Sequence, residues 1–206
     1  MSDVIYKNNE IRNTYNIYQV FCLVLTVIRT RLICRKARII RTPIIIRGKK
    51  YIDFGEQLTT GVGCRFEAYS QDQSPTIIFG HDVQINDYVH ICGMKKVLIG
   101  SNVLIASHVY ISDNSHGIYK GGESDSHPSI PPKKRDYNVV PTIICDNVWI
   151  GEGVIVMPGV TIGEGSIIGA HSVVNKSVPP FSIAVGSPAR VVKQYNFENK
   201  RWERVE

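Results

Sequence analysis

A chain of 206 residues with 43% hydrophobic content can build one sizeable core plus a small appendage, which excludes both a disordered tail and a multispan membrane protein. Its formal charge of +6 is unevenly placed: residues 1–52 carry eleven Lys+Arg against Asp3 and Glu10, while the remainder carries thirteen bases against sixteen acids. Five cysteines (Cys22, Cys34, Cys64, Cys92, Cys145) are scattered singly, a spacing that offers neither a disulfide frame nor a zinc site and fits a reducing cytoplasm.

The first element is the apolar run Val20–Ile28 (VFCLVLTVI), predicted as an amphipathic helix within a basic N-terminal segment, residues 1–52. Even with Ile17 and Tyr18 the run falls short of the roughly 20 residues that a spanning helix needs. No A-x-A-like cleavage site follows it, so no secretory signal is expected. Nine Lys or Arg residues then lie between Arg29 and Lys50, with no acid from Glu10 to Asp53. Such a segment can rest on an anionic membrane surface, here through residues 15–50 at the inner face. It can equally pack on the main domain with its basic face solvated. The next stretch, Pro43–Gln71, is expected to supply one or two irregular starting coils.

A period of six follows. Large apolar residues recur at Phe79, Ile85 and Ile91, then at Ile99, Ile105 and Ile111 after an eight-residue step, then at Ile144, Ile150, Val156, Ile162, Ile168 and Val174. The fourth residue after each anchor is often Val or Ser, as at Val83, Val103, Val148 and Ser166. The third is rich in types that tolerate positive φ: Asp82, Asn102, His108, Asn114, Asn147, Gly153, Gly159, Gly165 and His171. A six-residue unit does not fit the 3.6-residue helical turn. Short parallel strands joined by corners and coiled into a stack satisfy it, each anchor pointing inward.

Asn147–Gly169 (NVWIGEGVIVMPGVTIGEGSIIG) and Val178–Val191 (VPPFSIAVGSPARV) make the chain resemble the hexapeptide-repeat acyltransferases over about residues 75–193. The similarity is greatest to galactoside and maltose O-acetyltransferases and to transferases that decorate capsule or lipopolysaccharide sugars. The resemblance implies a mainly β fold, a left-handed parallel β-helix in which three hexapeptides make one triangular coil. That handedness departs from the usual crossover rule. It further implies a β-helix domain over 53–193, a short polar tail or helix over 194–206, and a homotrimer with active sites between subunits. Acetyl-CoA would be co-substrate, with no metal and no nucleic-acid partner. The acceptor would be a sugar hydroxyl in surface-polysaccharide biosynthesis.

Between Ser112 and Thr142 the period stops. A structureless loop of this length in a compact domain is usually functional or disordered. His116 stands at its mouth, and the resemblance makes it the general base. A sugar hydroxyl is too weak an acid to attack a thioester unaided, whereas an imidazole, ordinarily titrating near about 6.5, can take the proton as the bond forms. Without the resemblance, a lone loop histidine carries little information. Asp113 is a candidate to orient the ring, or else a corner residue. His127 and the run Lys133–Arg135 lie deeper in the loop. The run either meets an anionic lipid-linked or nucleotide sugar or is solvated.

On the donor side, Glu152 and Ala170 are eighteen residues apart and should stack. The resemblance runs the pantetheine arm along that ladder, with room left by Gly151, Gly169 and Ala170 and with Trp149 at a corner as a wall. Asn175, Lys176, Arg190 and Lys193 match the family's remaining cofactor positions, and basic side chains suit the phosphates of CoA. Glu152 and Lys193 depart from the residues common in relatives, a small polar residue and an arginine. Asn86 matches a sugar-contacting asparagine. Three alternatives stay open: N-acetylation of a nucleotide amino sugar, a metal enzyme on the same coil, and a non-catalytic solenoid.

Overall fold

The computed structural model describes residues 16–205. Residues 1–15, and with them the first residue of the stretch expected to meet a membrane, lie outside that range. Helix α1 (Ile17–Ile33) starts on a reciprocal cap. The Asn16 side chain accepts the Gln19 N–H at 2.8 Å, and the Gln19 side chain accepts the Asn16 N–H at 2.9 Å, satisfying two amides that a first turn leaves free. No described helix is long and apolar enough to cross a membrane. Thr30 is buried and its hydroxyl accepts the Ile40 N–H at 2.8 Å, tying the last turn to the first strand. Ile17, Phe21, Val24, Ile28 and Leu32 remain exposed.

From Ile39 the chain visits three sheets in turn. The first circuit is β1 (Ile39–Ile40), β2 (Ile44–Arg47) and β3 (Ile52–Asp53). The second is β4 (Thr59–Thr60), β5 (Cys64–Ala68) and β6 (Ile77–Phe79), and the third is β7 (Gln84–Ile85), β8 (His90–Gly93) and β9 (Val97–Ile99). The fourth is interrupted: β10 (Leu104–Ile105) and β11 (Tyr110–Ser112) precede an excursion containing β12 (Asn114–His116) and β13 (Tyr137–Val139), and β14 (Thr142–Ile144) closes the circuit. Then come β15 (Trp149–Ile150), β16 (Ile155–Val156) and β17 (Thr161–Ile162), and after them β18 (Ile167–Ile168) and β19 (Val173–Val174). The chain ends in β20 (Ser182–Val185), β21 (Arg190–Asn196) and β22 (Arg201–Arg204).

The first sheet runs β1-β4-β7-β10-β15-β18-β20-β21-β22, the second β2-β5-β8-β11-β16-β19 and the third β3-β6-β9-β14-β17. Neighbours are parallel throughout, except that β20, β21 and β22 pair antiparallel. Trp149 pairs with Ile167, a step of eighteen residues, whereas His90 pairs with Tyr110, a step of twenty. The extra two residues lie in the 94–96 turn. All twelve anchors are buried, with Val83, Val89, Val103, Val109, Val148 and Val154 beside them. Fully burying one such aliphatic side chain contributes about 1.5–3 kcal/mol, so the column along the stack is the main cohesive element.

The expected corners carry positive φ at Asp82, Asn102, His108, Asn147, Gly153, Gly159, Gly165 and His171. Asn114 is instead part of β12. Three further expectations change. Regular sheet begins at Ile39, so residue 52 is no boundary: β2 pairs with β5 from Ile44 to Arg47. The 194–206 tail is neither irregular nor helical, because β21 runs through residue 193 and pairs with β22. The excursion is not structureless either. It leaves as a two-stranded ribbon, β12 against β13, and carries a 3₁₀ turn at Pro132–Lys134.

Candidate active site

The three sheets meet at three edges, and these edges sort the candidate residues. Asn86, Gly151, Glu152 and Ala170 all follow a strand of the first sheet and lie on the edge between first and second sheets. Asn175 and Lys176 follow β19 and lie on the edge between second and third sheets. The excursion bearing His116 departs from this same second–third edge, straight after β11. Within one chain, therefore, His116 shares an edge with Asn175 and Lys176, while Asn86, Glu152 and Ala170 stand across the width of the second sheet.

His116 is exposed at the end of β12. It pairs across the ribbon with Tyr137, and the two rings pack with centroids 4.6 Å apart at 44°. The Tyr119 hydroxyl donates to the His116 carbonyl at 2.7 Å and accepts from the Arg135 guanidinium at 2.6 Å. Arg135 also donates to the Ile130 and Pro128 carbonyls at 2.8 and 3.1 Å. One guanidinium thus gathers three points of the excursion behind the histidine. His127 is exposed, with its ring against the Ser129 hydroxyl at 2.6 Å.

Asp113 does not orient the His116 ring. It is fully buried, and its carboxylate accepts the backbone N–H groups of Met94, Lys95 and Lys96 at 2.6–3.1 Å and the Asn114 amide at 3.0 Å. Its work is to close the two-residue insertion in the previous circuit.

The donor ladder is stacked as expected, since Ile150 pairs with Ile168, but some reasons change. Gly151 is buried, and a Cβ there would sit 2.7 Å from the Ala170 nitrogen and 2.8 Å from the Ile168 oxygen. Its smallness lets one circuit lie on the next; it does not leave room for a ligand. At Gly169 a Cβ would meet the Val185 side chain at 2.6 Å. Glu152 accepts the Ser107 N–H at 3.1 Å and offers its carbonyl to the His171 N–H at 2.7 Å. Trp149 is not at a corner: it lies in β15 between Leu104 and Ile167, with 49% of its surface exposed. Ala170, Asn175, Lys176, Arg190 and Lys193 are exposed. None of Lys176, Arg190 and Lys193 joins an ion pair among the described residues.

Two features escaped the sequence. The first is a charged cluster on the second sheet. Glu67 is buried and is reached by His90 at 2.8 Å, by Arg65 at 3.1 Å and by Arg47. Arg65 also meets the other ring nitrogen of His90 at 3.0 Å. That donor fixes the network: His90 Nδ1 accepts from Arg65, and Nε2–H donates to Glu67. Burial, joined by the Arg65 charge, holds His90 below its ordinary pKa against the pull of Glu67. Burial pushes the Glu67 carboxyl up, but the His90 hydrogen bond and the two arginines outweigh it and hold it below its usual range. The pair is therefore a neutral imidazole on a carboxylate. Its members lie more than 20 residues apart in sequence, on strands β5 and β8 that pair at a step of twenty-five, outside the regular spacing of the repeat.

The second is a cavity of about 880 Å³ on the second–third edge, between the 69–76 turn and the excursion. Tyr69, Asp72, Lys95, Lys133, Lys134 and Tyr137 line it, among others. Asp72 accepts from the Ser70 and Ser74 hydroxyls and the Ser74 N–H, which hold its carboxyl down at about 2. A separate apolar groove of about 680 Å³ follows the third sheet past Leu98, Ile143 and Thr161, and none of the candidate site residues lines it.

Comparison with known proteins settles the family. The chain is 44% identical over 183 residues, 89% of its length and 92% of the relative's, to WbbJ of Escherichia coli (strain K12), a protein named for O-acetyl transfer in lipopolysaccharide biosynthesis. Residues 141–176 match the model of the bacterial transferase hexapeptide (six repeats). The chain belongs to the hexapeptide transferase family. Among solved structures, this hexapeptide transferase is similar to a galactoside acetyltransferase in complex with coenzyme A, at 32% identity and TM-score 0.52 over 73% of this chain and 74% of that one. It also shares the fold of AntD, an N-acyltransferase from Bacillus cereus, with TM-score 0.65 and 23% identity over 80% of this chain and 84% of that one. Among the described residues of this hexapeptide transferase, no group of three or more His, Cys, Asp or Glu could hold a metal ion.

Proposed function

We propose that the protein transfers an acetyl group from acetyl-CoA to a hydroxyl of a sugar destined for a surface polysaccharide, with His116 as general base. The observation that carries this reading is the placement of His116. Its imidazole is exposed, packed on Tyr137, and stands on the edge that also carries Asn175 and Lys176. Identity to WbbJ over nearly the whole chain supports the substrate class. The galactoside enzyme's complex with coenzyme A supports the donor.

His116 takes the proton of the sugar hydroxyl as its oxygen bonds to the thioester carbonyl carbon. Acetyl-CoA supplies the acyl group and, as the C–S bond breaks, a thiolate leaving group, which takes the proton back from His116. Exposed Lys176, Arg190 and Lys193 are the side chains suited to the phosphates of CoA, while Asn175 of one copy and Ala170 of its neighbour would line the route to them, with Trp149 as a flat wall.

The split between edges favours a left-handed β-helix trimer with the site between subunits. In one chain Asn86, Glu152 and Ala170 are separated from His116 by the second sheet, so a neighbouring copy would complete the site. Residues 15–50 are the segment for peripheral contact with the membrane, through the exposed apolar side of α1 and the bases after it. N-acetylation is the second reading; AntD shares only the fold.

The test is release of free thiol from acetyl-CoA with neutral glycans and with amino sugars as acceptors. His116→Ala should lower turnover by about 10²–10⁴ while CoA binding persists. Turnover near that of the wild type would overturn the role of His116, and preference for the amine would establish N-transfer.

A further inference from the structure

We propose that the cavity beneath the excursion holds a phosphate group of the acceptor, so that the enzyme acts on a diphosphate-linked sugar and not on a free one. This rests on the reading of His116 as the base. Three observations carry it.

The cavity gathers Lys95, Lys133, Lys134 and Arg135 against two acids, Asp72 and Asp136. Arg135 is occupied by its contacts to Tyr119, Pro128 and Ile130. Lys95, Lys133 and Lys134 take part in none of the six ion pairs among the described residues. Four bases against two acids leave the cavity lining net positive, and a multivalent anion would offset that charge.

The lysines are also mounted on a built support. Pro131 and Pro132 lead into the 3₁₀ turn that carries Lys133 and Lys134. Arg135, the next residue, clamps the carbonyls of Pro128 and Ile130. The backbone at Lys95 is anchored from the other side, where its N–H is held by Asp113 at 2.7 Å. A solvated charge run has no need of such bracing; a site does, since ordering done beforehand lowers the cost of binding.

Position is the third observation. Along the second–third edge the 69–76 and 94–96 turns come first, then the root of the excursion, then the 157–160 turn, then Asn175 and Lys176. The cavity and the candidate donor residues thus lie on opposite sides of the strand from which His116 departs. Tyr137 joins them, lining the cavity and touching the His116 ring. A phosphate in the cavity would leave the attached sugar to extend past Tyr137 toward the imidazole. A nucleoside diphosphate and a prenyl diphosphate present the same group, and the cavity reads what they share.

The experiment is calorimetric titration of the full chain with inorganic pyrophosphate, with CoA present at saturation so that the donor's own diphosphate site is filled. Pyrophosphate should bind the wild type. Lys133→Ala/Lys134→Ala should weaken it at least about tenfold, the scale of losing one charge-assisted hydrogen bond, with CoA affinity unchanged. UDP and geranyl diphosphate are the two further arms. Tighter binding of either than of pyrophosphate names the source, and equal binding leaves the diphosphate as the recognised group. Absence of pyrophosphate binding, or binding that the double substitution leaves unchanged, overturns the proposal. Failure to bind CoA would instead overturn the acetyltransferase reading.

Discussion

His116 and Tyr137 face each other across the ribbon at the root of the excursion, their ring centroids 4.6 Å apart. Among the described residues no side chain hydrogen-bonds the His116 ring, and Tyr137 is the aromatic ring that packs on it, which makes Tyr137 the candidate positioning residue for the proposed base. Tyr137→Leu is expected to lower kcat about tenfold or more, since small misplacements of reacting groups are costly, with the KM for acetyl-CoA unchanged. Tyr137→Phe should restore kcat, because the ring does the packing. Equal losses in both variants would point to the hydroxyl instead.

Asp113 predicts a stability defect and not a catalytic one. Removing its carboxylate leaves the Met94, Lys95 and Lys96 amides without their acceptor, and a buried donor left unpaired costs about 1–3 kcal/mol. Asp113→Ala should therefore lose several kcal/mol in denaturant unfolding, while the enzyme that remains folded keeps its kcat. A specific fall in kcat at full stability would return Asp113 to the role of orienter.

The His90–Glu67 pair predicts acid sensitivity. His90 is held below its ordinary value in the fold, so the unfolded chain binds its proton more readily, and stability falls as pH drops below about 6.5. Burial is the main physical cause, and protonation would in addition place an N–H on His90 Nδ1 facing the Arg65 guanidinium. Glu67, also held low, adds its share nearer the carboxylate range, with the same sign. His90→Gln should flatten the stability profile just below 6.5 and leave the lower limb intact. An unchanged profile would show that His90 is not the titrating group.

Helix α1 predicts adsorption to membranes. Its exposed Phe21, Val24, Ile28 and Leu32, followed by the basic stretch, should bring the protein down with anionic vesicles at low salt, and less so as salt screens the bases. Phe21→Gln/Leu32→Gln, or removal of residues 1–40, should reduce sedimentation. Equal recovery with and without the segment would end the idea.

The stack was legible because a period of six is written in residue types: all twelve anchors are aliphatic or aromatic, and all are buried. Less could be read where the period slips. The circuits from Ile39 to Ala68 lack the regular spacing, yet β2 and β5 pair over four residues. Asp113 looked like a neighbour of His116 because it is near in sequence, but its carboxylate turns back to the preceding circuit. The cavity depends on two turns about sixty residues apart, Tyr69–Thr76 and Lys133–Tyr137, and no local pattern reports such a meeting. For the candidate donor residues, the stacking of Glu152 under Ala170 was legible in the sequence, but the edges were not, since these follow only from strand order.

The two ends of the excursion are fastened to each other. The Thr142 hydroxyl donates to the Ser112 carbonyl at 2.9 Å, and the Val140 N–H to the Asp113 carbonyl at 2.8 Å. Leu104 consequently stacks on Trp149 as squarely as Trp149 stacks on Ile167, although the step is 45 residues in one case and 18 in the other. The interior of the stack is insulated from what the excursion contains. Such a seam makes the excursion an exchangeable cassette: if it reads the acceptor as proposed, swapping it between relatives would graft a new acceptor preference onto an unaltered stack.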